Sequence, residues 1–462
     1  MILLKEKDCP TFIAGLIGFS ILLIFSIVFL WERVLFLDFS FYMFEMVRNA
    51  DFYHPGNRFV AFINQAPALL AVKMHLPLYW VLQLHSISFP LFHLILFLLL
   101  LFVFKQRELA LALFLFNFLL ASDAFYWCES EFPQGVGLIF LFVALINYRA
   151  ESITKKILLA LVAVFVAITA FWAHPLVLLP FGFVFLYFFV QNKRLFLQFI
   201  LWGIVLLVIL WVRFFAVKTV AYEANKIESG INGVALLSNF FSLPIVIKSL
   251  PWFVKDYWVF SVLGIVTAIV LAVKKQWTKL FICSVYVIGY YVIVCISFPY
   301  SEKFYVENLW VAMSIGVALP FAYEVLPFLR SKTLATVLLL AIITLRSFVI
   351  FNGHHHFTDR KIWWNKALAA AEKQGGEKFL LPADKAPMDI IHFSFSSAAE
   401  SILYSTVKYG KTICISIEPD IQSKKQLMNI QDAVITEYGV VKYKDLNSVY
   451  FKFKNAPTQI LN

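Results

Sequence analysis

Long apolar runs separated by short polar breaks occupy the chain from residue 11 to residue 352. Runs such as 11–31, 86–104 and 332–352 each hold about the 20 residues that an α-helix needs to cross a bilayer. The pattern predicts about eleven spans, at 11–31, 86–104, 109–121, 132–148, 157–173, 175–190, 195–214, 257–273, 280–298, 309–329 and 333–352, the third of them short. The first run is too long for the core of a signal peptide and leads into Trp31-Glu32-Arg33 without a small-residue cleavage site, so it reads as a retained anchor. Connections on one side are a few residues long, whereas the other side carries two large loops, 32–85 and 215–256. Long ordered loops usually bind or catalyse, which places function on that side. In the first large loop the apolar stretches 66–71 and 76–84 are too short to cross and are broken by Pro67, Lys73 and Pro77, which predicts helices lying in the interface.

The pattern changes at Gly353. From there onward 25 of 110 residues are charged, against 42 of the 352 before it, which marks a separate soluble domain. Its periodicity predicts a helix over 361–373, a strand over 378–382, a helix over 396–409, a strand over 412–417 and a hairpin over 440–454. The expected fold is therefore a polytopic α-helical membrane protein, 1–352, followed by a small extracytoplasmic α+β domain, 353–462.

Composition agrees: 61% of the residues are apolar and 15% charged, with a mean hydropathy of +0.81. Collagen, disorder, coiled coil and small disulfide scaffolds are excluded. The net charge of +11 does not imply a nucleic-acid partner, because the excess is concentrated in one set of short connections. That set includes Lys105, Arg107, Arg149, Lys155, Lys156, Lys274, Lys275 and Lys279, the bias that cytoplasmic loops keep. The N-terminus is then cytoplasmic and, after an odd number of spans, the C-terminus lies outside, in an inner or plasma membrane. Cys9, Cys128, Cys283, Cys295 and Cys414 show no CxxC spacing and read as small packing residues.

Ionisable residues are almost absent from mid-span; His93, Arg213 and Arg346 fall towards outer ends. This argues against a proton-coupled transporter and for a polar site at the outer interface. Asp38, in Leu37-Asp38-Phe39, leaves the bilayer just after the first span, where partial desolvation suits a general base. The loop from Asp123 through Glu129 to Glu131 contains no basic residue, and a second carboxylate there can orient an acceptor or hold a metal. Arg58, after a Pro-Gly turn, with Lys73, Arg213, Lys218 and Lys303, offers cations for an anionic head group; for Arg213 and Lys218 the alternative is a snorkelling anchor. His174, in Trp172-Ala-His174-Pro175, faces the same side and suits a cap or packing role better than catalysis. His354, His355 and His356 read as a polar junction. Tyr300, Glu302, Lys303 and Tyr305 are candidates for lining a head-group pocket.

Taken together, the cytoplasmic start, Asp38 soon after the first span, the interfacial first loop, the acidic loop with Glu129 and Glu131, the large loop after span seven and the outer C-terminal domain resemble the GT-C class of membrane glycosyltransferases, which includes the protein O-mannosyltransferases and the bacterial aminoarabinose transferases of lipid A. The resemblance covers residues 1–352 and rests on topology more than on a strict motif. It implies transfer of a sugar, with inversion, from a polyprenyl-phosphate carrier to a lipid, glycan or protein acceptor on the extracytoplasmic side. It further implies that Asp38 deprotonates the acceptor while Arg58 and Arg213, or Lys218, stabilise the departing lipid phosphate. Where the class often has an Asp, this chain has Glu129-Ser130-Glu131, so the second catalytic position stays open between the two glutamates. Dependence on a divalent metal varies within the class and stays open too. The alternatives are a transporter or flippase of envelope lipids or glycans, and a scaffold whose outer domain binds a partner.

Overall fold

The structure, a computed structural model, describes residues 10–54, 58–128, 130–192, 196–216, 228, 230–329 and 331–461. It is mostly helical, with the architecture of an α-helical membrane protein. Seven helical stretches among the described residues are long and apolar enough to cross a membrane: Pro10–Val28, Leu78–Val103, Ile153–Ala173, Phe196–Phe215, Trp277–Ser297, Lys303–Phe328 and the 43-residue Lys332–Gln374. A bent pair, Gly230–Ser242 with Pro244–Lys255, meets the same test jointly across a 58° break. The break falls at Leu243, whose backbone is extended because the Pro244 ring disfavours a helical conformation in the residue before it. Glu131–Asn147, Pro175–Gln191 and Trp258–Val273 are shorter apolar helices.

Helix α1 (Pro10–Val28) opens the bundle and is followed by the short α2 (Leu30–Val34), α3 (Asp38–Asn49) and α4 (Ala61–Lys73) of the first large loop. The sequence stretch 76–84 is not a separate interfacial helix. Pro77 caps α5 (Leu78–Leu98), because a proline just outside the first turn starts a helix instead of breaking it, and the span begins there. Gly15 and Gly18 let α1 approach its neighbours closely: a Cβ at Gly15 would sit 2.1 Å from the Phe97 ring and one at Gly18 2.4 Å from the Phe114 ring. Small residues are the usual means of close helix approach in membranes.

The shortness of the third apolar run is explained by its surroundings. Helix α6 (Arg107–Phe116) is 10 residues long, and every residue from Leu109 to Phe116 is buried. A helix apolar all round is a central one, and α6 packs against Ile315–Pro320 inside the bundle. Around this centre stand α7 (Glu131–Asn147), α8 (Ile153–Ala173), α9 (Leu178–Gln191), α10 (Phe196–Trp211), α11 (Pro244–Lys255), α12 (Trp258–Val273), α13 (Trp277–Ser297), α14 (Lys303–Trp310) and α15 (Lys332–Asn352). The peripheral α8 and α10 turn Leu161, Phe165, Leu197 and Leu207 outward, as a lipid-facing surface does.

Gly353 joins α15 to α16 (His354–Gln374), with the His354 ring stacked on Phe29 at 4.9 Å. Beyond it, β1 (Lys378–Pro382), α17 (Ser397–Tyr409) and β2 (Cys414–Glu418) form a parallel crossover with Phe379 opposite Ile415, and β5 (Gln459–Ile460) adds to the other edge of β1. The expected hairpin lies earlier than 440–454: β3 (Ala433–Thr436) and β4 (Gly439–Lys442) pair around Glu437 and Tyr438, where Gly439 takes a φ of +125° that a Cβ would resist. These elements share a core with the first loop. Leu30, Val34 and Phe39 pack with Ala398, Ile402 and Val434, and Leu35 packs with Trp364 and Ile415. Tyr450 Oη donates to the Leu76 carbonyl at 2.9 Å and Asn447 Nδ2 to that of Val47 at 3.0 Å. Of the cysteines, Cys283, Cys295 and Cys414 are buried thiols, and Cys128 is half-buried.

Candidate functional site

A cavity of about 700 Å³ lies where the first loop meets the C-terminal elements. One wall is α3, from which Asp38, Tyr42 and Glu45 project at helical spacing; Tyr53 and Arg58 form the side, and Phe395, the start of α17 and the β3–β4 turn close the roof. Asp38 is half-buried. Glu45 pairs with Arg48 at 2.7 Å, yet burial raises its carboxyl above the ordinary range against the pull of Arg48. Burial, followed by the charges of Glu45, Tyr438 and Asp38, pushes the Tyr53 phenol up to about 12. Tyr53 is held in place by Gln65, which accepts its N–H at 2.9 Å and donates to its carbonyl at 2.7 Å.

The backbone leading to Asp38 is strained. Leu37 has φ +46° and ψ −115°, a conformation costly for a side chain branched like leucine and retained only where surroundings over-determine it. The surroundings are Glu400, fully buried in α17, whose Oε1 accepts the Leu37 N–H at 3.2 Å. The same carboxylate accepts Arg360 Nε at 2.9 Å, Trp364 Nε1 at 2.6 Å and Ser396 Oγ at 2.6 Å. A charge buried this deeply is tolerated because it is paired and fully hydrogen-bonded.

Arg58 reaches from the cavity to Glu131, with Nη1 to Oε2 at 3.0 Å and relative exposures of only 6% and 3%. Glu131 stands in the first turn of α7 behind the N-cap Ser130, where the helix dipole favours a carboxylate. His174 caps the turn after α8 by accepting the Leu176 N–H at 3.1 Å, and its ring lies 5.2 Å from Phe132. Arg213 is buried over the Trp172 ring at 5.3 Å. Neither lines the cavity.

Lys303 belongs to a second polar cluster. It contacts Asp256 at 3.0 Å and Asp123 at 3.5 Å, beside Glu307, which accepts Tyr257 Oη at 2.6 Å and the Ala124 N–H at 2.9 Å. Arg346 binds the Phe118 carbonyl at 2.9 Å and that of Ala121 at 2.7 Å. This cluster ties α14, α15 and the 121–128 loop together at one end of the bundle. Tyr300 is exposed nearby and lines no part of the cavity. Glu129 and Lys218 lie outside the described residues.

Of the residues legible in the sequence, Asp38 and Arg58 line one cavity and Glu131 pairs with Arg58 from outside it, whereas Glu45, Arg48, Tyr53 and Glu400 were missed. The spacing of Asp38, Tyr42 and Glu45, at i, i+4 and i+7, was a readable signal that they share a helix face. No such signal marks Glu400. Among the described residues no group of three or more His, Cys, Asp or Glu side chains is placed to hold a metal ion. No family model, curated protein or solved structure matches this chain.

Proposed function

We propose that the chain is a membrane glycosyltransferase of the GT-C type, moving a sugar from a polyprenyl-phosphate carrier to an acceptor on the extracytoplasmic face. The observation that carries this reading is the shared cavity: Asp38 and Arg58 line one space of about 700 Å³, with Arg58 held by Glu131. In that space Asp38 removes the proton from the acceptor hydroxyl or amine. The freed lone pair attacks the anomeric carbon as its bond to the phosphate oxygen breaks, inverting the configuration. Arg58 neutralises the charge that develops on the departing prenyl phosphate, and Glu131 fixes the guanidinium plane. Arg213 and His174 act from outside the cavity as supports, and Lys303 and Tyr300, which do not line it, are assigned to head-group contacts away from the reacting atoms; Glu129 and Lys218 remain candidates for the second carboxylate and the second cation.

The membrane organisation that goes with this function has eleven spans, of which α6 is shielded by protein and α7, α9 and α12 are short. It has a cytoplasmic N-terminus and an extracytoplasmic α+β unit from Gly353, in an inner or plasma membrane. The partners are the polyprenyl-linked donor, a lipid, glycan or protein acceptor, and membrane lipids. A chelator titration reads whether transfer needs a divalent metal.

The test uses the purified full-length chain in proteoliposomes supplied with undecaprenyl-phosphate-linked mannose or aminoarabinose together with an extract of envelope lipids, glycans and proteins as acceptors, following release of undecaprenyl phosphate by chromatography. The expected result is consumption of a donor by the wild type and none by Arg58→Ala. Donors that cross the bilayer with the sugar linkage intact would support a flippase and overturn the proposal.

A further inference from the structure

We propose a second lipid site at the opposite end of the helices, binding an anionic phospholipid of the adjacent leaflet. It stands independently of the transferase reading. Helix α7 begins at Glu131 beside Arg58 and ends, after 17 residues, at Asn147, about 24 Å away at 1.5 Å per residue. There a cavity of about 490 Å³ opens between the ends of α5, α7 and α9, lined by Lys105, Gln106, Asn147, Arg149, Gln191 and Asn192 together with aromatic rings. No acid lines it; Glu108 is felt electrostatically at the lining Tyr323 but is not part of the wall.

Lys105 and Arg149 follow helix C-termini, where cations complement the helix dipole. That accounts for the two charges but not for the open space between them, nor for what adjoins it. Between α8 and α10 runs a groove of about 700 Å³ whose lining is almost wholly apolar, including Ile157, Ala160, Leu161, Leu201 and Trp202. Its single polar residue, Gln198, donates from Nε2 to the carbonyl of Ile146, the neighbour of Asn147. That bond sets the apolar trough beside the last turn of α7, whose Asn147 lines the basic pocket. Asn147 also has a buried Oδ1 without a hydrogen-bond partner among the described residues, and rotation of that amide offers its NH₂ group to a phosphate oxygen.

A basic pocket with an apolar groove beside it, the two joined at the Gln198–Ile146 hydrogen bond, fits a molecule with a phosphate head and a hydrocarbon chain, and basic pockets between spans bind such head groups. The occupant we assign is a phosphatidylglycerol-type lipid: acyl chain along α8 and α10, phosphate between Lys105 and Arg149.

The full-length chain, delipidated in detergent, is titrated with dioleoyl-phosphatidylglycerol and dioleoyl-phosphatidylcholine, and bound lipid is counted by native mass spectrometry. Wild type should prefer the anionic lipid about tenfold or more, and Lys105→Gln with Arg149→Gln, both exposed positions, should abolish the preference. Ala160→Trp should weaken both lipids by filling the groove. Arg58→Ala should leave lipid binding unchanged, which separates this site from the transferase cavity. Equal affinity for the two lipids, or a preference that survives the double substitution, would overturn the proposal. Inorganic phosphate competing equally well against Ala160→Trp would replace it with a free-anion site, and much tighter binding of undecaprenyl phosphate would replace it with a prenyl-carrier site.

Discussion

The backbone N–H of Leu37 donates to the carboxylate of Glu400 at 3.2 Å, a contact between residues 363 positions apart. Through it the C-terminal helix α17 holds the strained residue that aims Asp38 into the cavity. Arg360 and Trp364 share the same carboxylate, so the rod α16 participates as well.

Replacing Glu400 with Gln leaves Arg360 buried without its counter-charge, and breaking one side of such a pair costs about 3 kcal/mol or more. The expected outcome is a lowered unfolding midpoint in nanodiscs, with faster amide exchange at Leu37 to Phe41. Unchanged exchange there would show that Leu37 keeps its conformation without Glu400.

Arg58 and Glu131 are coupled in the same way, across 73 residues of sequence. A double-mutant cycle of Arg58→Met and Glu131→Gln is expected to give a coupling energy of about 2 kcal/mol, within the range for neighbouring charged partners. Additivity of the two single changes would mean that the pair is not formed.

Ala50 closes α3 with φ +49° and ψ +37°, a left-handed cap that glycine adopts without penalty. Ala50→Gly should therefore stabilise the protein by about 1 kcal/mol, read as a rise in the thermal midpoint. A fall would place the Ala50 methyl in a packing role that outweighs the backbone strain.

His392 sits where the C-terminal elements meet the bundle, its ring 5.0 Å from Phe304. Burial first, and then the charge of Arg360, hold its imidazole below the ordinary 6.5, while His356 acts in the same direction and Glu302 and Asp389 oppose it. A depressed value means that the folded state prefers the neutral ring. The contribution to stability is complete above 6.5 and is lost as the pH falls through the folded value. Unfolding midpoints measured between about pH 5 and pH 8 should drop on the acid side, and His392→Asn, which tolerates the φ of +59° at this position, should flatten that limb. An unaltered acid limb would assign the pH dependence to other groups.

What could be read from the sequence was what depends on local pattern. Apolar run length marked the chain as a helical membrane protein with seven stretches long enough to cross among the described residues, and Asp38 stood out because it follows the first run between two apolar residues. Strand β1 fell where a short apolar run between the Gly375-Gly376 pair and Pro382 placed it. What escaped was set by tertiary pairing. Run length cannot distinguish α6, enclosed by protein, from a helix facing lipid. Pro67 and Pro77 look alike as breakers, yet one lies inside α4 and the other starts α5. The hairpin slipped because the alternating Phe451-Lys452-Phe453-Lys454 looks more strand-like than Ala433–Thr436, a short apolar run that pairs through the turn at Glu437 and Tyr438. Glu400 reads as an ordinary helical acid until the fold brings it to Leu37.

The most direct measurement is sugar transfer by Asp38→Asn, which keeps the side chain's size and removes its basicity. With undecaprenyl-phosphate-linked donor in proteoliposomes, the turnover rate should fall by about a thousandfold, as loss of a general base does, while prenyl-phosphate binding and the unfolding midpoint stay at wild-type values. Turnover within a few-fold of wild type would contradict the account, because the cavity would then not owe its chemistry to that carboxylate.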